Sequence, residues 1–347
     1  MMHWIVNRIF AITRSLRVSA SKFNHCSSVC PINSPRGTLL AWYSGSGECQ
    51  NDQSVHVVFI TGLRLSTPLR IGNCTGNPVL IPNQSNQNEA VLLWSKFENP
   101  EQHLRIVDRW KTCSLWTQRI GVCGGNVVLL GEPNKIAGPE QHLLGRCNPL
   151  VVDDTVLLPL YDEMRAECVI FRGNGLEYTE SDRFGTNMIQ PTIWKRGNTI
   201  CSLSRNFRSN RTKSRYCDSI GGCWTEATNS NIWNLNNSLQ VITWNGDDII
   251  LWNNTYERWR KMMTLGVLEY DASDLGFLRI SAKPIEVVGR KYGAYPSMCI
   301  DFDGNLNFSF TSATKEIEYH VWNRKAFEQR RDGLTRRTRA RNRNPGA

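Results

Sequence analysis

The chain has 347 residues, enough to bury a large core, either as one all-β domain or as two smaller ones. Hydrophobic residues make up 40% and charged residues 21%, an ordinary globular usage, and no apolar run reaches the length of a membrane span. The net charge of +10 is concentrated at the C-terminal end, so it does not describe a basic face spread over the whole protein.

In chain order, the first segment is "MMHWIVNRIFAITRSLRVSASKF", which has no acidic residue and carries Arg8, Arg14 and Arg17. Residues 1–22 read either as a leader or as an opening β-segment that completes the last blade, and the compartment stays open. Beyond it, 26 Gly, 14 Pro and 12 Trp tilt the chain toward turns and strands. The 12 cysteines show neither paired CxxC nor His-rich spacing, so neither a zinc site nor any other cofactor is expected. Asn-x-Ser/Thr sequons begin at Asn73, Asn83, Asn210, Asn236, Asn253 and Asn307, and an Asn-rich chain produces these by chance.

A pattern then recurs: a polar residue or Pro, a strand, a turn with Gly, Asp or Asn, and a second strand. The copies are "NHCSSVCPINSPRGTLLAWYSG" from Asn24, "NPVLIPNQSNQNEAVLLWSKF" from Asn77, "NPLVVDDTVLLPLYDE" from Asn148, "QPTIWKRGNTICSLSRNF" from Gln190, "SLQVITWNGDDIILWNNT" from Ser238 and "YPSMCIDFDGNLNFSFTS" from Tyr295. Their spacing is near the roughly 40 to 50 residues of a propeller blade, except for a longer interval that leaves room for an insertion within residues 98–146. One hairpin cannot bury both of its faces, so the copies must stack around an axis. The spacing predicts an all-β, six-bladed β-propeller of four-stranded antiparallel blades over residues 23–324, with a five-bladed ring as the alternative. Pro78, Pro149, Pro191 and Pro296 start four of the strands, where a missing N–H costs no ladder bond. Asn77, Asn148, Gln190 and Tyr295 therefore occupy equivalent slots, expected to converge on the axial mouth.

The segments "HCSSVCPINSPRGTLLAWYSGSGECQNDQSVHVV", "NPLVVDDTVLLPLYDE", "IQPTIWKRGNTICSLSRN" and "YGAYPSM", in this order over roughly residues 23 to 322, resemble the sialidase superfamily. The resemblance is closer to its bacterial and viral branch built from BNR (Asp-box) repeats. "SRYCDSIGGCWTE", with Asp218, Gly221, Gly222 and Trp224, is similar to an Asp box with one extra residue before Trp. The resemblance implies arginines that grip a sugar carboxylate, since a guanidinium fork matches it bidentately. Arg205 and Arg260 match two of these positions, Arg258 stands near the second, and His25 stands where a first arginine is usual. It also implies a Tyr nucleophile at Tyr295, activated by a carboxylate where this chain has Gln190, and an acid at Glu48 or Asp52.

Each residue also fits a plainer role. Tyr295 heads a strand and can simply pack, Arg205 and Arg260 suit surface ion pairs, and Glu48 and Asp52 suit a turn. His25 fits a proton-transfer group or a satisfied structural histidine. Glu163 in "PLYDE" fits a ligand contact or a turn, and Trp42 fits sugar stacking or packing between blades. The expected function is a sialidase-like glycan-active protein, a glycoside hydrolase of the exo-glycosidase type acting on an acidic sugar. The alternatives are a non-catalytic carbohydrate or protein recognition propeller, and a polysaccharide lyase on uronic-acid glycans that uses His25 and Tyr295. The expected partner is a glycan with an acidic sugar. The last stretch, residues 325–347, is rich in Arg and reads as a disordered tail, with weak contact to an anionic surface or nucleic acid as the sharper reading.

Overall fold

The computed structural model describes residues 13–62, 64–98, 101, 106–234, 237–255, 260–272 and 278–343. Nearly all of them fall into antiparallel meanders, laid down in the order of the repeats. The first runs Phe23–Ile32, Gly37–Gly45, Ser54–Thr61 and the outer pieces Arg64–Leu65 and Leu69–Asn73. The second is Thr75–Pro82, Glu89–Phe97, Cys113–Cys123 and Asn126–Ala137. The third has an inner strand in two pieces, Leu143–Gly145 and Leu150–Val152, followed by Thr155–Asp162, Glu167–Gly173 and Tyr178–Phe184. The fourth is Met188–Arg196, Thr199–Asn206, Arg211–Cys217 and Thr228–Trp233.

The fifth and sixth meanders share one long strand, Leu278–Ile300, and so form a single seven-stranded sheet. Its first part pairs with Lys261–Ala272, behind Asp247–Asn253 and Gln240–Trp244, and its last part pairs with Leu306–Ser312. Glu316–Trp322 follows, and Thr13–Val18 adds the outermost strand of this sheet. The opening segment therefore closes the ring from residue 13 onward, while residues 1–12 lie outside the described part.

Local sequence explains the hairpins. Between Trp244 and Asp247 only Asn245 and Gly246 intervene, with φ of 50° and 83°, the Asn-Gly turn whose twist suits a two-residue hairpin. The second strands "GTLLAWYSG", "EAVLLWSKF" and "TVLLPLYD" are buried almost end to end, because each lies between two neighbouring sheets. Separate apolar clusters fill the interfaces. Val79, Leu93, Leu158 and Val169 join the second and third meanders, and Met188, Ile200, Leu157 and Ile170 join the third and fourth. Trp194, Leu203, Ile250 and Trp252 join the fourth and fifth, and Leu251, Met263, Phe308 and Phe310 join the fifth and sixth. Val29, Trp42, Cys299 and Ile317 join the last meander to the first. Each inner strand touches the next around a common axis, which makes the arrangement a propeller.

The expected disordered tail is corrected over its first part. Residues Arg324–Arg343 form a helix, capped where Asn323 Oδ1 accepts the Ala326 N–H at 2.8 Å. Phe327 is fully buried against Trp244, with ring centroids 5.3 Å apart. Arg324 and Arg331 both reach Asp247, at 2.8 and 3.2 Å, and Arg330 pairs with Glu286. Burial of Phe327 and these ion pairs hold the first turns against the fifth and sixth meanders. The side chains beyond residue 333, including the remaining arginines, lie outside the described part.

Candidate functional site

Four inner strands carry the same irregularity. The ladder gains one residue between His25 and Ser28, Gly76 and Val79, Ile189 and Thr192, and Ala294 and Ser297. In each bulge one non-glycine residue is left-handed: Cys26 at φ 52°, Asn77 at 45°, Gln190 at 53° and Tyr295 at 51°. A bulge turns a side chain that would otherwise follow the alternation of the strand, and these four turn toward the axis. The third inner strand is broken instead. Its ladder stops at Gly145 and resumes at Leu150, so Arg146 faces the axis. Asn148, expected in the same slot as the others, is displaced. Its amide donates to the Met298 carbonyl at 2.5 Å and accepts from Ser297 Oγ at 2.7 Å.

A cavity of about 190 Å³ opens at this end of the axis. The first two meanders contribute Cys26, Glu48, Asn77 and Trp110, and the third and fourth contribute Arg146, Tyr161, Glu163, Gln190, Arg205 and Phe207. Tyr295 completes the wall from the sixth. Arg146 is buried beneath it, donating to the carbonyls of Ser27 and Pro296 at 3.1 and 3.3 Å, with its guanidinium 5.0 Å from the Tyr295 ring centre.

Arg260 stands behind Tyr295 and donates to its hydroxyl at 2.9 Å and to that of Tyr292 at 2.8 Å. His25 lies edge-on to the Tyr295 ring, 4.7 Å between centroids, with Nε2 3.4 Å from Arg260 and Nδ1 3.1 Å from Thr311 Oγ1. Burial, reinforced by Arg260 and Arg146, holds the His25 pKa well below the ordinary histidine value. His25 is therefore neutral, accepting from Arg260 through Nε2 and donating to Thr311 through Nδ1–H. Burial also raises the Tyr295 phenol, with Arg260 pulling it back.

Arg205 is placed differently. Its guanidinium lies 5.4 Å from the Phe207 ring centre and has neither a hydrogen bond nor an ion pair among the described residues. Burial lowers its pKa, yet an arginine remains charged. The two glutamates differ as well. Trp110 Nε1–H donates to Glu48 Oε1 at 3.2 Å, whereas the Glu163 carboxyl has no hydrogen-bond partner among the described residues. Burial raises the Glu163 pKa, with Arg205 and then Lys111 opposing it.

No family model matches the chain, and no curated protein matches it. Solved structures do. Trypanosoma rangeli sialidase superposes with a TM-score of 0.65 at 13% identity, over 94% of this chain and 62% of that one. A protein of unknown function from Dyadobacter fermentans gives 0.65 at 10% identity, over 90% and 99%. NanB sialidase from Streptococcus pneumoniae gives 0.56 at 10%, over 89% and 68%. The chain has a sialidase-like β-propeller fold. At these identities the likeness is one of fold, and the chain spans only about 62% of the length of the Trypanosoma rangeli enzyme.

Within this sialidase-like frame, Tyr295, Glu48, Glu163, Gln190 and Arg205 share one cavity, while His25 and Arg260 stand just behind Tyr295. Two expected residues fall outside it. Asp52 is exposed and accepts from Ser46 N and Oγ at 2.9 and 2.8 Å, closing a turn. Trp42 is fully buried between the first and last meanders, donating to Asn24 Oδ1 at 3.0 Å. Strand alternation gives the reason, for Trp42 and its neighbour Tyr43 point to opposite faces and only Tyr43 meets His25 and Trp110. Arg258 lies outside the described residues.

Sequence reasoning missed Arg146 and Trp110. Arg146 supplies an arginine under Tyr295, and its only signal was its place just before "CNP" in the third repeat. Trp110 comes from the insertion after the Glu89–Phe97 strand, whose existence the repeat spacing predicted but whose side chains it could not aim.

Proposed function

We propose that the protein acts on glycans bearing an acidic sugar, taking the sugar's carboxylate at Arg205 and hydrolysing its glycosidic bond in the cavity at this mouth. The observation that carries this reading is Arg205 itself, a charged guanidinium on a cavity wall that lies over the Phe207 ring and makes neither a hydrogen bond nor an ion pair among the described residues. A guanidinium that is partly buried and makes no hydrogen bond leaves its donors open, and a planar carboxylate is the ligand that satisfies its fork. Arg260 adds positive potential from behind Tyr295 and Arg146 from the cavity wall beneath it, and Glu48 and Glu163 supply groups for proton transfer. The relatives of known structure include Trypanosoma rangeli sialidase in complex with sialic acid, which makes sialic acid the first ligand to try. A lyase route finds less support, because His25 stands behind Tyr295 and is held neutral by burial, with Arg260 and Arg146 adding to it.

Calorimetry with sialic, uronic and related sugar acids, together with turnover of their 4-methylumbelliferyl glycosides, tests the reading. At least one acid binds and is released from its glycoside, and Arg205→Ala weakens binding about ten- to a hundredfold, as expected for a charged hydrogen bond of about 1.5–3 kcal/mol. Absence of binding by every acidic sugar overturns it. A second reading, recognition without turnover, is favoured by Gln190, which occupies the bulge of the fourth meander in place of an acid and cannot take a proton from Tyr295. Binding without product selects that one.

A further inference from the structure

Two carboxyl groups face the cavity, and their surroundings differ. We infer that Glu163, rather than Glu48, is the general acid that protonates the departing glycosidic oxygen, with Glu48 as the base that activates water. The inference rests on the hydrolytic reading above.

Glu48 is exposed, so water reaches it, and its Oε1 is held by the Trp110 indole N–H at 3.2 Å. Glu163 receives no such donor among the described residues and is half-buried. The charged groups that face it are Arg205, Lys111, Asp162 and Glu48. Lys111 is held by Asp108 at 3.0 Å, and Asp162 is neutralised by Arg183 and Arg165 at 3.1 and 3.3 Å. Among the described residues, Arg205 alone of these makes neither a hydrogen bond nor an ion pair, and it is the group proposed to take the sugar carboxylate. Once that carboxylate is seated, the pull of Arg205 on Glu163 is offset by the ligand's negative charge. The ligand thereby drives Glu163 toward its protonated form at the moment a proton is needed. A carboxyl in a dry setting acts as acid and a solvated, hydrogen-bonded one stays ionised.

Tyr295 is poorly placed to take over the attack. Its hydroxyl accepts from Arg260, and the neighbouring Gln190 has no proton-accepting charge. In the step that remains, water adds to the anomeric carbon and gives its proton to Glu48. The glycosidic C–O bond breaks, and the leaving oxygen takes the proton of Glu163. The products are the free acidic sugar and the alcohol.

The test compares leaving groups that need a proton with those that do not. With Glu163→Gln, kcat/KM for an alkyl glycoside of the acidic sugar falls about 100- to 10,000-fold, while a 2,4-dinitrophenyl glycoside loses less than about tenfold. The alkaline limb of the wild-type pH profile disappears in the same variant. Glu48→Gln slows both substrates alike. Equal losses in Glu163→Gln, or a leaving-group-dependent loss in Glu48→Gln, overturns the inference. Binding of acidic sugars without any turnover also overturns it and leaves carboxylate recognition at Arg205 standing; no binding at all overturns the functional reading itself.

Discussion

The two ends of the propeller axis are lined by the same inner strands and have opposite chemistry. At the end away from the candidate site, a cavity of about 290 Å³ is walled largely by Val29, Pro31, Leu80, Ile193, Val241, Met298 and Ile300. There the ladders are regular and side chains follow the strand alternation. At the other end, the bulges at Cys26, Asn77, Gln190 and Tyr295 and the break at Arg146 bring polar and charged groups to the axis. The regular end is part of the core. The irregular end holds non-glycine residues at positive φ, each at a cost of roughly 1–3 kcal/mol that the surrounding sheets must offset. Strain and unpaired polarity are concentrated where a ligand would sit, as expected of a site positioned by a rigid scaffold.

That contrast can be broken at either end. The largest effect is expected at the regular end, where Leu80→Ala leaves a cavity in a fully buried position. Its cost is about 2–5 kcal/mol in urea denaturation, with unchanged affinity for an acidic sugar. Arg205→Ala, at the irregular end, reverses the pattern and leaves stability within about 0.5 kcal/mol while affinity falls. A comparable loss of stability in Arg205→Ala would show that the two ends are not separable in this way.

Acid provides the next test. Because burial holds His25 unprotonated in the folded protein, the unfolded chain binds a proton below about pH 6.5 that the folded chain does not. Stability is therefore retained above that value and lost progressively as pH falls below it. Denaturation curves at pH 7 and 5 should show the loss, and His25→Asn should reduce it. An identical pH dependence in the variant removes His25 from the account. The smallest effect is expected at Asp52→Asn, which disturbs an exposed turn by about 0.5–1 kcal/mol and leaves glycan turnover unchanged. A large loss of turnover there would return Asp52 to the chemistry.

The propeller was legible because its signal is repeated. Hairpins with Gly or Asn turns and continuous apolar second strands recur along the chain, and a hairpin with two apolar faces has to stack. The candidate site was legible only in part. Tyr295, Gln190 and Arg205 were found because the repeat and the family resemblance fixed their slots, and all three line the cavity. Trp42 was misplaced because a one-residue step along a strand changes the face, and composition does not record which face is inside. The tail was misread for a related reason, since a run of arginines hides the single Phe327 whose burial anchors the helix.

By itself, then, the sequence determined the repeating hairpin, the need to close it into a ring, and the kinds of side chain available at the head of each blade. Tertiary structure decided which of them meet. Arg146 reaches the underside of Tyr295 because the third inner strand breaks, and Trp110 reaches Glu48 because an insertion from the second meander folds over the first. Neither contact has a periodicity or a motif, because each joins residues far apart in sequence through the ring closure that only the packed sheets impose.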